Sequence, residues 1–315
     1  MDFASLQHSV FLQSLGSAIL NSLWQGFTLW FLYETISVYY KTASARFKNN
    51  LGTLLLFLTF LWFTITFISK LMIRQEIIGS DITPALHHAQ ITSQATSALQ
   101  QFLTYVGSSM PYLSIAYIFL LFFLMAKLFA AYRYVYIISN KRLIDPPAGL
   151  DSFTLKVATQ MKIPRKITVW ISNHIDVPAT IGFLKPVILI PFASLNNLSG
   201  NQLEAIILHE LSHIKRNDYI INIIISVIET ILFFNPFVAL LSTIIKRERE
   251  NCCDDFVLQY QYDPHSYALA LLRLEQSRIG NIKLAMGAVS GKKQLLSRIM
   301  RITNGQAVNK TFNYG

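Results

Sequence analysis

The segment ILHELSHIKRND, residues 207–218, contains two histidines four residues apart, His209 and His213, with Glu210 directly after the first. On a helix, positions i and i+4 lie on one face, so both imidazoles can reach a single metal ion. The HExxH pattern binds zinc in this way. Glu210 would lie beside the ion, where a general base for hydrolysis must be. We therefore predict a zinc site with Glu210 as its catalytic base.

The same three residues could instead lie on a surface helix with two solvated histidines. The surrounding sequence argues against this alternative, because LEAIILHELSHI is apolar around the motif and predicts a buried helix. Two buried histidines and a carboxylate without partners would be costly to desolvate. The context therefore favours a metal site.

A catalytic zinc site of this kind needs a third protein ligand and one open coordination position. Downstream, KRERENCCDDFVL offers four acids on a predicted helix: Glu248, Glu250, Asp254 and Asp255. Glu248 and Glu250 lie about 200° apart around such a helix, so both cannot face the metal. Spacing alone leaves the choice of ligand open.

The elements around the motif predict a small folded layer. Ser199 is a candidate N-cap for the helix that carries the motif, because apolar residues recur at helical spacing after it. Before it, KITVWIS (166–172) and Val187–Ile190 have the composition of strands. Strands followed by a helix predict an α+β layer, here appended to a helical membrane bundle.

The rest of the chain has the composition of a membrane protein. Of its 315 residues, 52% are hydrophobic and 14% are charged, whereas soluble domains usually carry about 25% charged residues. Three runs approach the ~20 apolar residues that a spanning helix needs. We predict transmembrane helices at about 10–33, 51–68 and 112–134.

The basic residues predict the orientation of these spans. The formal net charge is +10, and basic residues cluster between the first two spans (Lys41, Arg46, Lys48) and after the third. The loop 70–110 is poor in them. By the positive-inside rule, this loop is extracytoplasmic and the motif lies on the cytoplasmic side of a bacterial inner membrane. Because topology explains the basic excess, we expect no direct nucleic-acid partner.

Four segments together resemble a known family: VPATIGFLKPVILIP, LEAIILHELSHIKRNDY, FFNPF and RERENCCDDFVL. They are similar to the BlaR/MecR family of bacterial membrane zinc metallopeptidases, over the three spans and the domain up to about Leu274. The resemblance implies a gluzincin-like domain with Glu250 as the third zinc ligand. It also implies that Asp254, one turn on, orients a ligand histidine. Cys252 and Cys253 are then interpreted as small buried residues.

The resemblance does not extend to the penicillin-binding sensor domain of the beta-lactam receptors in that family. About fifty residues follow Asp263-Pro264, and none of them forms an apolar span. We expect either a piece of a longer receptor or a relative with another sensing device. The predicted organisation is a membrane domain (1–140), a protease domain (141–290) and a basic tail (291–315).

A fourth apolar run, residues 219–245, is 27 residues long and could span a membrane. His213 precedes it and Glu250 follows it, so a single crossing would separate these residues by ~30 Å. Zinc–ligand distances of about 2 Å exclude that arrangement. Since proline ends or kinks a helix, Asn235-Pro236 predicts a break. We predict an apolar helical hairpin that docks the domain on the membrane.

The sequence thus predicts an integral-membrane zinc endopeptidase that transduces a signal by cutting a cytoplasmic protein, such as a transcriptional repressor, or itself. The expected partners are the lipid bilayer and this protein substrate, with an oligomer left open. One alternative is a non-catalytic signalling or scaffold protein with a structural zinc, which would not need Glu210. Another is a quality-control protease like the HtpX relatives, which share the ligand pattern.

The hairpin prediction can be checked by thiol labelling. In a background with serine at positions 252 and 253, single cysteines near Asp218 and Lys246 should react with an impermeant reagent only from the cytoplasmic face. A cysteine in the 41–48 loop is the matched cytoplasmic control, and one in the 85–95 loop should react only from outside. Labelling of positions 218 and 246 from opposite sides would exclude the zinc site, because its ligands could not meet across a bilayer.

Overall fold

The computed structural model describes residues 9–79, 98–139, 143–147, 149–260, 262–281 and 288–304. They are mostly helical, with one small sheet. In chain order the elements are α1 (Val10–Tyr39), α2 (Ala45–Gly79), α3 (Ala98–Ser139), α4 (Leu150–Gln160), β1 (Thr168–Ser172), β2 (Ala179–Ile181), β3 (Val187–Pro191), α5 (Phe192–Asn197), α6 (Gly200–Lys215), α7 (Asp218–Ile231), α8 (Pro236–Gln259), α9 (Pro264–Asn281) and α10 (Ala288–Thr303).

The described residues form two compact units. Unit 1 takes its residues from Met1–Ala43, Asn50–Leu128 and Val227–Thr243. Unit 2 takes its residues from Ser44–Asn49, Phe129–Ser226 and Ile244–Gly315.

Unit 1 is built mainly from α1, α2 and α3, which contain the three predicted spans. Two described helical stretches are long and apolar enough to cross a membrane, Ala45–Ile73 and Tyr105–Ile137. Helices α2 and α3 extend beyond the predicted spans into the predicted loop 70–110, of which residues 80–97 lie outside the described part. The number of crossings and their orientation stay predictions.

The predicted break in the apolar run 219–245 is confirmed. Helix α7 ends at Ile231, and α8 begins at Pro236. Asn235 is buried and holds this turn. Its Oδ1 accepts hydrogen bonds from the backbone N–H groups of Phe237 (3.0 Å) and Val238 (3.4 Å), and its Nδ2 donates to the carbonyl of Ser22 at 2.7 Å. The side chain thus caps α8 and satisfies a carbonyl of α1 within unit 1.

Unit 2 contains a three-stranded sheet of order β1-β3-β2. The predicted strands 166–172 and Val187–Ile190 are confirmed as β1 and β3, which pair in parallel with Val169 opposite Ile188. The short β2 pairs antiparallel with β3 and forms one outer edge. Buried strand residues such as Ile171 and Ile190 share one hydrophobic core with α4, α6, α8, α9 and α10.

Helix α6 is the central element of unit 2 and carries the HELSH motif. It begins with a capping box, in which the Ser199 side chain accepts from the Gln202 N–H and the Gln202 side chain accepts from the Ser199 N–H. From Ala205 to Ser212 every residue is buried. The predicted buried helix with Ser199 as its N-cap is therefore confirmed.

Residues 291–303 belong to α10, whereas the sequence analysis assigned them to a basic tail. Their apolar residues recur at helical spacing, and Ile302 is buried in the core of unit 2. Two basic residues of this segment form ion pairs with acids of α8. Arg298 pairs with Asp254, and Arg301 pairs with Asp255. The rest of the predicted tail, residues 305–315, lies outside the described part.

The capping box gives a test of how α6 is held. Replacing Ser199 with alanine removes the acceptor for the Gln202 N–H and should lower the free energy of unfolding by about 1 kcal/mol. Ser199→Asp keeps an acceptor and should stay close to the unchanged chain. Thermal unfolding of both variants in the same detergent makes the comparison; equal midpoints for the alanine variant and the unchanged chain would show that the cap is dispensable.

Candidate metal centre

Three donor atoms from two helices converge in unit 2. The Nε2 atoms of His209 and His213 on α6 lie 3.3 Å apart. The carboxylate of Glu250 on α8 approaches them, with Oε2 at 3.5 Å from His209 Nε2 and Oε1 at 3.9 Å from His213 Nε2. A tetrahedral zinc with bonds of 2.0–2.1 Å spaces its ligand atoms about 3.4 Å apart. The donor types and their spacing therefore fit zinc.

The other ring nitrogen of His209 faces a buried tyrosine and a buried carboxylate. Its Nδ1 lies 2.9 Å from the Tyr267 hydroxyl and 3.4 Å from Asp254 Oδ1. The Tyr267 hydroxyl donates to Asp254 Oδ1 at 2.7 Å, so it accepts from His209 Nδ1–H. In the neutral imidazole, this arrangement places the proton on Nδ1 and leaves the Nε2 lone pair free to bind a metal.

His213 is oriented in the same way by Asp218, at the start of α7. Its Nδ1 lies 2.8 Å from Asp218 Oδ2, which leaves Nε2 as the free donor atom. Asp218 is itself 4% exposed. Each candidate ligand histidine therefore has a carboxylate close to its outer nitrogen, as is usual for histidines that bind zinc.

Arg298, on α10, connects the two acids of α8 in this site. Its Nε and one terminal nitrogen donate to both carboxylate oxygens of Asp254, at 2.8 and 2.7 Å. Its other terminal nitrogen lies 3.3 Å from Glu250 Oε2. The guanidinium therefore holds the candidate ligand and the acid behind His209 in a fixed relation.

These contacts move the pKa values of the buried groups. Burial opposes ionisation of Glu250, but the hydrogen bond with His209 and the charges of His213 and Arg298 outweigh it, so the pKa of Glu250 lies well below its usual range. The pKa of Asp254 is lowered as well, because the charge and hydrogen bonds of Arg298 outweigh its burial. Burial disfavours the charged form of His209, yet hydrogen bonds with Asp254 and Glu250 raise its pKa to about 9. Both carboxylates are thus ionised at neutral pH.

Glu210 lies beside this cluster and does not belong to it. It is 7% exposed, and its Oε2 accepts a hydrogen bond from the Thr180 hydroxyl of β2 at 2.8 Å. Glu210 and Thr180 line a cavity of about 370 Å³ together with the three candidate ligands. A carboxylate in that position can exchange a proton with a molecule in the cavity.

A second group of donors shares one histidine with the first: His213, Asp218 and Cys253. Cys253 Sγ lies 3.4 Å from His213 Nδ1, the same nitrogen that Asp218 contacts. Burial, with Glu250 and Asp218 nearby, raises the pKa of the Cys253 thiol well above its usual value, so it remains protonated. Since a thiolate is the form that binds metal, this group is the weaker candidate.

The remaining predicted acids lie outside the cluster. Glu248, the other candidate for the third ligand, accepts hydrogen bonds from Arg247 and Asn251, and Asp255 pairs with Arg301. Cys252 and Cys253 are both buried, as the sequence analysis interpreted them.

Sequence reasoning missed four residues of this site: Thr180, Asp218, Tyr267 and Arg298. Asp218 lies within the quoted segment 207–218, and its position five residues after His213 was a usable signal. The other three lie at least 29 residues from the motif in sequence, and their side chains meet it only through the fold.

The family model described as BlaR1 peptidase M56 matches residues 38–302. The methicillin resistance mecR1 protein of Staphylococcus aureus is 29% identical over 233 residues, which cover 68% of this chain and 38% of that protein. Regulatory protein BlaR1 of Bacillus licheniformis is 28% identical over 191 residues, covering 59% and 31%. The chain thus spans well under half the length of these relatives.

Among solved structures, Ste24p of S. mikatae aligns over 93% of this chain with 12% identity and a TM-score of 0.38. The family match includes α6, α8 and the part of α10 that carries Arg298, so it covers every residue of the candidate metal centre. The resemblance to the BlaR/MecR family is confirmed, and the chain belongs to the BlaR1 peptidase M56 family.

Proposed function

We propose that this chain is an integral-membrane zinc endopeptidase with a gluzincin-like domain in unit 2. The observation that supports it best is the convergence of two imidazole Nε2 atoms and one carboxylate on a cavity that Glu210 also lines. In this proposal His209, His213 and Glu250 hold zinc, and Asp254, Asp218 and Tyr267 fix the two imidazoles. Three protein ligands leave one position for the reaction.

The chemistry divides between the metal and the chain. Zinc in such a site supplies Lewis acidity, which polarises a peptide carbonyl and makes water acidic enough to react near neutral pH. Glu210 accepts the proton of the attacking water and later passes it to the leaving amine. The hydrogen bond from Thr180 holds the Glu210 carboxylate toward the cavity.

Strand β2 is the proposed place for the substrate backbone. It pairs with β3 along one side and is an outer strand of the sheet. Ala179 and Thr180 of β2 line the same cavity as Glu210. An extended peptide that pairs with the other side of β2 would lie beside the catalytic base.

The proposed role is signal transduction at the cytoplasmic face of a bacterial membrane, by cleavage of a cytoplasmic protein such as a repressor, or of the chain itself. Two relatives carry the names regulatory protein BlaR1 and methicillin resistance mecR1 protein, in line with a regulatory role. A structural zinc site is the less favoured alternative, because it gives no reason for Glu210 to line the cavity. An HtpX-like quality-control protease would share the same chemistry and differ in the breadth of its substrates.

The identity of the third ligand is open to metal analysis. Glu250→Ala should reduce zinc retention of the purified full chain by at least about 10-fold, because it removes one of three protein ligands. Glu248→Ala, two residues away on the same helix, is the matched control and should retain about one zinc per chain. The reverse result would reassign the ligand to Glu248.

Loss of the general base should abolish cleavage without loss of metal. Glu210→Gln should bind zinc normally and cleave more slowly by about 10²–10⁴-fold. Glu204→Gln on the same helix, whose carboxylate accepts from Tyr262 instead, is the control. Proteomics of cleaved N-termini in cells that produce each variant provides the readout, and it includes fragments of the chain itself.

Wild-type levels of cleaved N-termini in the Glu210→Gln strain would contradict the proposed role of Glu210. The same data distinguish a regulatory protease from a quality-control protease. A regulatory protease should lose one or a few cleavage products, whereas a quality-control protease should lose many.

A further inference from the structure

Asn49, the fifth residue of α2, is buried at 4% exposure and uses both ends of its amide. Its Nδ2 donates to the carbonyl of Ile245 on α8 at 3.1 Å. Its Oδ1 accepts from a terminal nitrogen of Arg216, the residue that ends α6, at 2.9 Å. One side chain therefore joins the two helices that carry the candidate zinc ligands.

The contact with Arg216 continues to the metal centre. Arg216 Nε lies 3.3 and 3.2 Å from the two carboxylate oxygens of Asp218. Asp218 Oδ2 in turn contacts His213 Nδ1 at 2.8 Å. The hydrogen bonds form a continuous relay, defined here as Asn49, Arg216, Asp218 and His213, and all four residues belong to unit 2.

Asn49, at the outer end of this relay, restricts the conformations of the other side chains in it. Arginine has a long side chain with many rotamers, so its direction is set by the acceptors at its tip. Asn49 supplies such an acceptor and is itself fixed by Ile245, five residues before Glu250 on α8. Without Asn49, Arg216 could turn away, and Asp218 would keep His213 less well oriented.

We propose that Asn49 is a positioning residue of the metal centre, acting on His213 through Arg216 and Asp218. The inference rests on the proposed function, because it assumes that His213 binds zinc. It also gives the start of α2 a role in the site through the contact with Arg216. Among the described residues, α2 contains one of two stretches long and apolar enough to cross a membrane. A change at Asn49 would reach the candidate ligand His213 through three side chains, those of Asn49, Arg216 and Asp218.

The test measures zinc affinity of the purified full chain by competition with a chelating dye, and the visible spectrum of the Co²⁺-substituted chain. Asn49→Leu removes both amide contacts and should weaken zinc binding by about 10-fold, the lower end of the effect of losing an outer hydrogen-bond partner. Asn49→Asp keeps the acceptor for Arg216 but loses the donor to the Ile245 carbonyl, so its zinc affinity should lie between those of Asn49→Leu and the unchanged chain. Asn50→Leu, at an exposed neighbouring position, is the matched control.

A double substitution distinguishes the relay from a general loss of packing. Asn49→Leu should add little to the defect of Asp218→Asn, because both act through His213; independent defects would multiply. Unchanged affinity and an unchanged Co²⁺ spectrum in Asn49→Leu would overturn the inference, and so would an Asn49→Asp chain as weak as Asn49→Leu. Failure of the unchanged chain itself to bind zinc would overturn the proposed function together with the inference.

Discussion

The spacing of three donor atoms is the constraint on which unit 2 depends. Two imidazole nitrogens and one carboxylate must lie within about 4 Å of one another, although Glu250 follows His213 by 37 residues. That distance fixes the path of the chain between them, which leaves α6, turns at Asn235-Pro236 and returns along α8. The break at Asn235-Pro236 allows the chain to make this return.

The arrangement of these atoms places several carboxylate charges in the interior of unit 2. Asp254 is fully buried, and Glu250 and Asp218 are largely so. Removing one member of a buried ion pair typically costs about 3–5 kcal/mol, because the other charge is left without a partner. Arg298 of α10 neutralises the buried charge of Asp254, and Arg216 neutralises that of Asp218. The residues that balance these charges also restrict the rotamers of the candidate ligands.

The sequence predicted the parts of this structure that follow from local patterns. HELSH lies on a buried helix because its apolar neighbours recur at helical spacing, and Ser199 caps that helix because its hydroxyl matches the first free N–H groups. The break at Asn235-Pro236 followed from proline geometry. The choice of Glu250 over Glu248 needed the family resemblance, since spacing alone left both open.

The parts that were missed depend on contacts between distant segments. Tyr267 and Arg298 belong to α9 and α10, and no spacing relates them to His209. Residues 291–303 were interpreted as part of a basic tail, whereas they belong to α10. The acids that neutralise Arg298 and Arg301 lie more than 40 residues earlier in the chain, so only the fold shows that these arginines form partly buried ion pairs.

We propose that zinc binds to His209, His213 and Glu250 and not to the group that contains Cys253. Zinc K-edge X-ray absorption of the zinc-loaded full chain tests it most directly, because sulfur scatters differently from nitrogen and oxygen and binds at a longer distance. We expect a first shell of nitrogen and oxygen atoms alone at about 2.0–2.1 Å, including two imidazoles. A sulfur atom at about 2.3 Å would contradict the claim and assign the metal to His213, Asp218 and Cys253.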